Sequence, residues 1–388
     1  SWTKLIAEDE KGGAANAVAT WMQDSRLGFL LSPIAFGIVS TAPIAKAFRG
    51  LVGGTSLVQS IRARMLRRRS SKSEAKTKKS SEPLPQAYLD AFPLYPILGE
   101  DDALIVAREG ILDEVAAQWK RWQESRIDGS LAIVGEKGAG KTTLAAQIAR
   151  RVGADGLVQH TMKGKPTTER ELVATLAESF GCEEIHEASA LSEHLCAGED
   201  RVVLIDEAHN VFLRHVDGFG AYDALVDLVN ATSSKVFWVL VFNSFTWRFL
   251  NESRGRVHYF RKLLNLPKWD AAEIQKLIHL RNKRTQFDLR FDEMLLADNR
   301  SDSASLQLVE EAEGYFRLLW ESSGGNPRIA THLWLSSLHP ISDTSLRVGL
   351  FPEANTEELS GLQDDLVFSL AAICQHENLS RSELARVL

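Results

Sequence analysis

One glycine-rich stretch decides the fold: it reads Gly135-Glu136-Lys137-Gly138-Ala139-Gly140-Lys141-Thr142-Thr143. An apolar run at 130–134 precedes it, and residues 144–150 follow it with the composition of a helix. The spacing G-x-x-x-x-G-K-[ST] between a strand and a helix is that of a P-loop. The sequence therefore predicts a strand, a glycine-rich turn and a helix at this point.

The residue types of this stretch suit a phosphate chain. Glycines let consecutive backbone N–H groups curl around phosphates, and the N-terminus of the following helix adds its positive dipole end. Lys141 can reach the β- and γ-phosphates, and the Thr142 hydroxyl can bind Mg²⁺. A glycine-rich turn that binds nothing is the alternative, which the strand and helix context disfavours. We predict that all nine residues, 135–143, contact ATP.

A second motif follows at 202–210, where an apolar run ends in Asp206 and Glu207. Such a run is typical of a buried parallel strand, which presents its last residues at the edge where ligands bind. The pattern is weak alone, but it follows the P-loop lysine at the distance expected of a Walker B motif. We predict that Asp206 belongs to the Mg²⁺ shell and that Glu207 polarises the attacking water.

Three further features extend this pattern. Another apolar run, 236–242, predicts a strand that ends at Asn243, between the two acids and the γ-phosphate. A short strand is predicted at 263–266, after an arginine-rich segment. Gly324-Gly325-Asn326-Pro327 then stops one helix, and Arg328 opens the next.

These motifs together resemble the AAA+ ATPase superfamily over residues 95–340, in the group of transposition-helper, secretion and initiator-type ATPases. The resemblance implies an ATPase that forms homo-oligomers. It places Asn243 at the sensor 1 position and Arg328 at sensor 2, where it contacts the γ-phosphate from a helical lid. Arg256 or Arg261 would be the arginine finger offered to a neighbouring subunit, although neither lies in a Ser-Arg-Phe context.

The charge of the chain is unevenly distributed. The net charge is −6, yet residues 62–79 hold nine Lys and Arg against the single Glu74, so the rest carries about −14. An acidic bulk restricts any nucleic-acid contact to a local patch. The three cysteines form no CxxC pair and indicate neither a disulfide framework nor a zinc site, as in a reducing compartment. Because the chain begins with Ser1, we expect a fragment or a processed form.

Residues 27–45 hold 19 positions without a charge, and a basic cluster follows them. This pattern predicts membrane association through residues 27–51, with the ATPase on the cytoplasmic face of a bacterial inner membrane. A buried core helix or a re-entrant piece of a larger membrane domain is the alternative. The basic residues suit anionic headgroups, and DNA is the less favoured partner.

The predicted fold class is α/β, a parallel-sheet P-loop NTPase followed by an α-helical lid and the start of a winged-helix module. Residues 362–377 and 380–388 predict the first two helices of that module, with Ser380 and Glu383 as a capping box. The predicted domains are an N-terminal helical piece (1–26), the membrane segment (27–51), a basic linker (52–90), the ATPase core (91–267), the lid (268–340) and the partial winged helix (341–388).

Three functions are compatible with these features. The first is a membrane-tethered ATPase that couples nucleotide state to conformational change in an attached domain or a protein partner. The second is a nucleotide-dependent oligomerisation switch with little turnover. The third is a DNA-associated helper ATPase of the transposition class. Glu207 favours turnover over a switch, and residues 27–45 favour the membrane over DNA.

Overall fold

The computed structural model describes residues 83–93, 105–106, 108–153, 156–254, 260–291, 304–351 and 362–388. The predicted membrane segment at 27–51, most of the basic linker and Arg256 lie outside these residues. Within the described ranges, no helix is both long and apolar enough to cross a bilayer.

The described helices are α1 (Gln86–Leu89), α2 (Glu109–Ser125), α3 (Lys141–Val152), α4 (Glu169–Phe180), α5 (Ala188–Ala197), α6 (Gly220–Thr232), α7 (Ser244–Arg254), α8 (Ala271–Thr285), α9 (Ala304–Ser323), α10 (Pro327–Ser336), α11 (Asp364–His376) and α12 (Arg381–Val387). The described strands are β1 (Ser130–Gly135), β2 (Leu157–Thr161), β3 (Arg201–Asp206), β4 (Val236–Asn243), β5 (Lys262–Asn265), β6 (Asp288–Phe291), β7 (Leu338–Ser342) and β8 (Ser345–Val348). A short 3₁₀ turn covers Ala208–Asn210.

The chain divides into two compact units. The P-loop unit contains Ala107–Pro267 together with Phe368–Leu388, and the helical unit contains Lys268–Val367 with the described residues before position 107. Each unit has its own apolar core.

The P-loop unit is built on a five-stranded parallel sheet in the order β2-β3-β4-β1-β5. Alternate residues of each central strand face opposite sides, as the two-residue period of a strand requires. In β4, Trp238 and Leu240 belong to one core cluster, whereas Phe237 and Val239 belong to the other. Helices cover both faces, so β1 and β4 are buried along their whole length. The predicted α/β parallel sheet is confirmed.

Local sequence signals fix several helix ends. The side chains of Thr168, Asp270 and Ser380 each accept a hydrogen bond from the backbone N–H three residues on, and each forms a complete capping box. The capping box predicted at Ser380 is therefore confirmed. At the other end, Gly153 and Gly181 adopt the left-handed conformation that closes α3 and α4.

The helical unit contains α8, α9 and α10 around aromatic side chains. The Trp334 and Phe316 rings stack with centroids 5.9 Å apart, and the Tyr315 hydroxyl donates to Ser337 Oγ at 2.8 Å. The sequence predicted an α-helical lid over residues 268–340. Instead α10 ends at Ser336, and the unit adds a three-stranded sheet in the order β6-β8-β7. Pro340 cannot donate in a helix, and it lies in the strand that follows.

The C-terminal part also differs from the predicted division. The predicted winged-helix module began at residue 341, but β8 belongs to the helical unit, and Phe368–Leu388 belong to the P-loop unit. The reason is apolar packing, since Ala372 and Val387 bury against Leu213 of the P-loop unit. Both predicted helices are present as α11 and α12. The winged-helix fold itself stays a prediction.

Candidate active site

The glycine-rich turn joins the buried strand β1 to α3. Gly138 and Gly140 have φ of 83° and 89°, a left-handed conformation that side chains with a Cβ rarely adopt. A Cβ on Gly140 would meet no atom within 4 Å. Gly140 is the N-cap of α3. Because glycine has no side chain, it cannot accept a hydrogen bond from the first backbone amides of that helix. A helix N-terminus without a side-chain cap fits a phosphate group.

Lys141 is the cation of this turn, and its residue is only 8% exposed. Its Nζ donates to the Glu136 carbonyl oxygen at 3.0 Å, which folds the side chain back over the turn. The same Nζ lies 3.3 Å from Oε1 of Glu377. The lysine is therefore already engaged by a carboxylate from the C-terminal end of the chain.

Asp206 ends β3 and lies beside Thr142, whose hydroxyl shares a hydrogen bond with the carboxylate. Burial raises the pKa of Asp206, while Thr142, the Glu207 N–H and Lys141 act to lower it. Mg²⁺ is commonly held by one or two carboxylates with phosphate and water oxygens. In the described part of the chain, no three acidic, histidine or cysteine side chains form a metal cluster. The Thr142 hydroxyl and the Asp206 carboxylate are oxygen donors of the kind that Mg²⁺ prefers.

Glu207 follows Asp206 in a left-handed conformation, with φ of 54°, and its N–H donates to Asp206 Oδ1 at 2.9 Å. Asn210 holds the other end of this side chain, since Nδ2 donates to Glu207 Oε2 at 3.3 Å and to the Met162 carbonyl at 2.7 Å. Burial raises the pKa of Glu207, and the carboxylates of Asp206 and Glu377 raise it further. A raised pKa favours proton acceptance from water near neutral pH.

Besides Glu377, the sequence analysis missed two residues of this cluster. Asn210 lies within the 202–210 motif, and its position three residues after Glu207 in a short turn was the available signal. Lys165 contacts the Asn210 amide oxygen and comes from the loop after β2. Burial lowers the pKa of Lys165 to about 8. No sequence pattern marks this lysine.

Asn243 ends β4 directly beside Gly135 of β1 in the parallel register. It is 1% exposed, and its Oδ1 accepts from the Phe245 N–H at 2.7 Å, which fixes the amide. Its Nδ2 donates to Glu377 Oε1, the same oxygen that faces Lys141. The structure thus brings the predicted sensor 1 residue to the P-loop lysine through an unpredicted carboxylate.

The remaining predicted residues are characterised by their local contacts. Arg328 opens α10 in the helical unit, and its N–H donates to the Asn326 side chain at 3.1 Å, so the predicted helix start is confirmed. Its contact with a γ-phosphate stays a prediction. Arg261 lies in the P-loop unit with Nε 3.7 Å from Asp128 Oδ1. Lys137 is half exposed above the turn, and Thr143 lies in the first turn of α3.

The five-stranded parallel sheet and the glycine-rich turn after β1 together form a P-loop arrangement. Residues 125–247 match the family model described as AAA domain. The match includes the glycine-rich turn and the residues that end β3 and β4, the motifs that resemble those of the AAA+ superfamily. A comparison with curated proteins gave no match.

Solved structures show distant similarity. The ORC1 protein of Aeropyrum pernix, in complex with DNA, is 17% identical with a TM-score of 0.43, and the match covers 62% of each chain. The ORC2 protein of the same organism, in its ADP form, is 16% identical with a TM-score of 0.41 and coverage of 62% and 67%. A RuvB mutant of Thermotoga maritima is 16% identical with a TM-score of 0.33. The chain spans 61% of that RuvB chain.

Proposed function

We propose that the P-loop unit binds ATP with Mg²⁺, hydrolyses it, and passes its nucleotide state to an attached domain or partner. The observation that carries this proposal is the convergence of five side chains at the carboxyl ends of adjacent parallel strands. Ligands bind at that edge in open α/β sheets. The five residues are Lys141, Thr142, Asp206, Glu207 and Asn243.

Each residue has a role that its surroundings support. Lys141 and the N-terminus of α3 hold the β- and γ-phosphates, while Thr142 and Asp206 would hold Mg²⁺. The bound cation would supply charge neutralisation at the phosphate oxygens. Glu207 orients the attacking water and accepts its proton, and Asn243 aligns the γ-phosphate. Turnover requires the ionised form of Glu207, which is positioned by the amide of Asn210.

The direct test is Mg²⁺-dependent release of phosphate from ATP by the full chain. Asp206→Asn should weaken Mg²⁺-dependent binding of ATP, because it removes a charged ligand without changing the shape of the side chain. Glu193→Gln on α5 is the matched control, since it makes an equivalent charge change on an exposed helix. Equal Mg²⁺ requirements for Asp206→Asn and the wild type would contradict the assignment of Asp206.

Arg328 is the proposed link between the nucleotide and the helical unit. The helix start at Asn326 and Pro327 fixes the backbone of this arginine. Arg328→Ala should still bind ADP but lose about tenfold of its preference for ATP, the free-energy equivalent of one charge-assisted hydrogen bond. Competition titrations with ATP and ADP measure this preference. An unchanged ratio would leave Arg328 a structural role only.

Membrane attachment through residues 27–51 is the proposed anchor, and it rests on the uncharged run and the basic cluster after it. Resistance of the membrane-bound protein to high salt and alkaline carbonate would support a spanning segment, and release would support surface binding. The alternative, a DNA-associated helper ATPase, rests on the same basic residues at 62–79. Stimulation of hydrolysis by DNA would favour that alternative. A nucleotide-dependent oligomerisation switch would show binding without turnover.

A further inference from the structure

Helix α11 lies partly in the C-terminal segment, Phe368–Leu388. The end of this helix lies directly over the P-loop. Three side chains of the P-loop unit donate to three successive carbonyl oxygens at this helix end. The Thr246 hydroxyl donates to the Gln375 carbonyl, Lys165 Nζ to the His376 carbonyl at 3.2 Å, and Lys137 Nζ to the Glu377 carbonyl at 2.9 Å. The C-terminal end of a helix carries partial negative charge, so the segment presents an anionic end to a cationic pocket.

The Glu377 side chain completes this contact. Its Oε1 accepts from Asn243 Nδ2 and lies 3.3 Å from Lys141 Nζ, and its Oε2 lies 4.0 Å from Lys137 Nζ. The side chain is only 10% exposed. A single carboxylate oxygen is therefore shared by the P-loop lysine and the amide at the end of β4. These are the two groups assigned above to the β- and γ-phosphates.

The backbone of Glu377 is adapted to this placement. Its φ is 59°, in the left-handed region that a non-glycine residue seldom adopts. Such a conformation persists only where surrounding contacts determine it. Here those contacts are the two lysines, Asn243 and the apolar packing of Ala372 and Val387 against Leu213.

The electrostatic balance also favours a held anion. Burial acts to raise the pKa of Glu377, but Lys141, His209, the Asn243 hydrogen bond and Lys137 outweigh it and hold the pKa at about 2. The carboxylate is therefore ionised throughout the physiological range. Removing its counter-charges would leave a buried anion unpaired, which is costly.

We propose that Glu377 is an internal phosphate mimic: in the state described here its carboxylate occupies the phosphate position of the P-loop, and ATP binds only when the C-terminal segment releases it. The proposal rests on the nucleotide site proposed above. A γ-phosphate and the Glu377 carboxylate cannot share Lys141 and Asn243, because two anions would then compete for the same donors. The apparent affinity for ATP is the intrinsic affinity multiplied by the fraction of molecules in which the segment is released.

The test compares Glu377→Gln with the wild-type full chain in titrations with fluorescent methylanthraniloyl derivatives of ATP, ADP and AMP in the presence of Mg²⁺. Glu377→Gln keeps the shape of the side chain and removes its charge. We expect affinity to rise about tenfold or more for ATP, less for ADP and not at all for AMP, whose phosphate does not reach Lys141. Glu193→Gln is the matched control and should match the wild type with all three ligands.

Several outcomes would overturn the proposal. Unchanged or weaker ATP binding by Glu377→Gln would assign the residue a structural or positioning role, and an equal gain for AMP would indicate general loosening of the unit. Absence of binding by wild type, Glu377→Gln and Lys141→Ala alike would instead overturn the nucleotide site itself. Those two failures are therefore distinguishable.

A second measurement does not depend on the folding of a variant. Amide hydrogen exchange of the wild-type chain reports the segment directly, because release exposes the backbone N–H groups of α11 and α12. Saturating ATP and Mg²⁺ should accelerate exchange at 368–388 while slowing it at 135–145. Unchanged protection at 368–388 with ATP bound would overturn the proposal.

Discussion

Two turns of the P-loop unit each place a glutamate near Lys141, and the pKa values of the two glutamates are shifted in opposite directions. Glu207 follows β3 and Glu377 follows α11, and both adopt left-handed backbones, with φ of 54° and 59°. The pKa of Glu207 is raised by burial and by Asp206, whereas Lys141 and Asn243 help to hold the pKa of Glu377 at about 2. We propose that one residue type serves as a base in the first turn and as a fixed anion in the second. Neighbouring charge makes the difference.

The largest expected effect comes from removing the lysine that both turns face. Lys141→Ala deletes the cation that we propose contacts the phosphates. ATP affinity should therefore fall by at least about 100-fold, the sum of two charge-assisted hydrogen bonds. The substitution should also release Glu377, which loses its closest counter-charge. Calorimetry measures the affinity, with the surface variant Lys276→Ala as control. Affinity within about threefold of wild type would rule out the P-loop as the site.

The next effect separates the two glutamates. Glu207→Gln should bind ATP with unchanged affinity and hydrolyse it about 100-fold more slowly, because an amide cannot accept the proton of the attacking water. Glu377→Gln should have the opposite signature, tighter binding with turnover retained. Single-turnover hydrolysis under saturating enzyme isolates the chemical step. A Glu207→Gln protein that hydrolyses at the wild-type rate would move the base elsewhere.

The smallest effect concerns a histidine beside each turn. His209 and His376 are buried, and burial lowers the pKa of each to about 3. Both are neutral in folded and unfolded chains above about pH 6.5. Below that value the unfolded chain binds protons that the folded chain does not, so the free energy of unfolding should fall by up to about 1.4 kcal/mol per histidine per pH unit.

Urea denaturation between pH 7 and pH 5 measures this dependence, in a window above the titration of Glu377. His376→Gln should reduce the slope of the free energy of unfolding against pH by the equivalent of one bound proton. A slope unaffected by His376→Gln would show that the C-terminal segment is released before the rest of the unit unfolds.

The sequence predicted the first turn but not the second, for a physical reason. Lys141, Asp206 and Asn243 follow apolar runs that predict buried parallel strands, and adjacent strand ends in one sheet bring them together. Glu377 is 236 residues from Lys141 in the chain and lies in no motif. Its position depends on the packing of Ala372 and Val387 against Leu213. The helical pattern of the sequence does not show which part of the chain those two residues contact.

The hairpin of β7 and β8 in the helical unit was also missed, because its strands are defined by packing more than by a long sequence pattern. Residues 338–348 contain Pro340 and alternate buried Leu346 and Val348 with exposed Arg347, so a strand pattern was present but short. The capping residues, by contrast, act within one turn of helix. The boundaries at Ser380 and Asn326 were therefore predictable from sequence alone.

The most direct test of this account is steady-state ATP hydrolysis by four proteins: wild type, Glu207→Gln, Glu377→Gln and the double variant. The account predicts a higher kcat/KM for Glu377→Gln, a kcat lowered about 100-fold for Glu207→Gln, and a double variant that binds ATP tightly without turnover. A Glu377→Gln protein with kcat reduced as far as that of Glu207→Gln would contradict it. The two glutamates would then act together in catalysis, and neither would compete with phosphate.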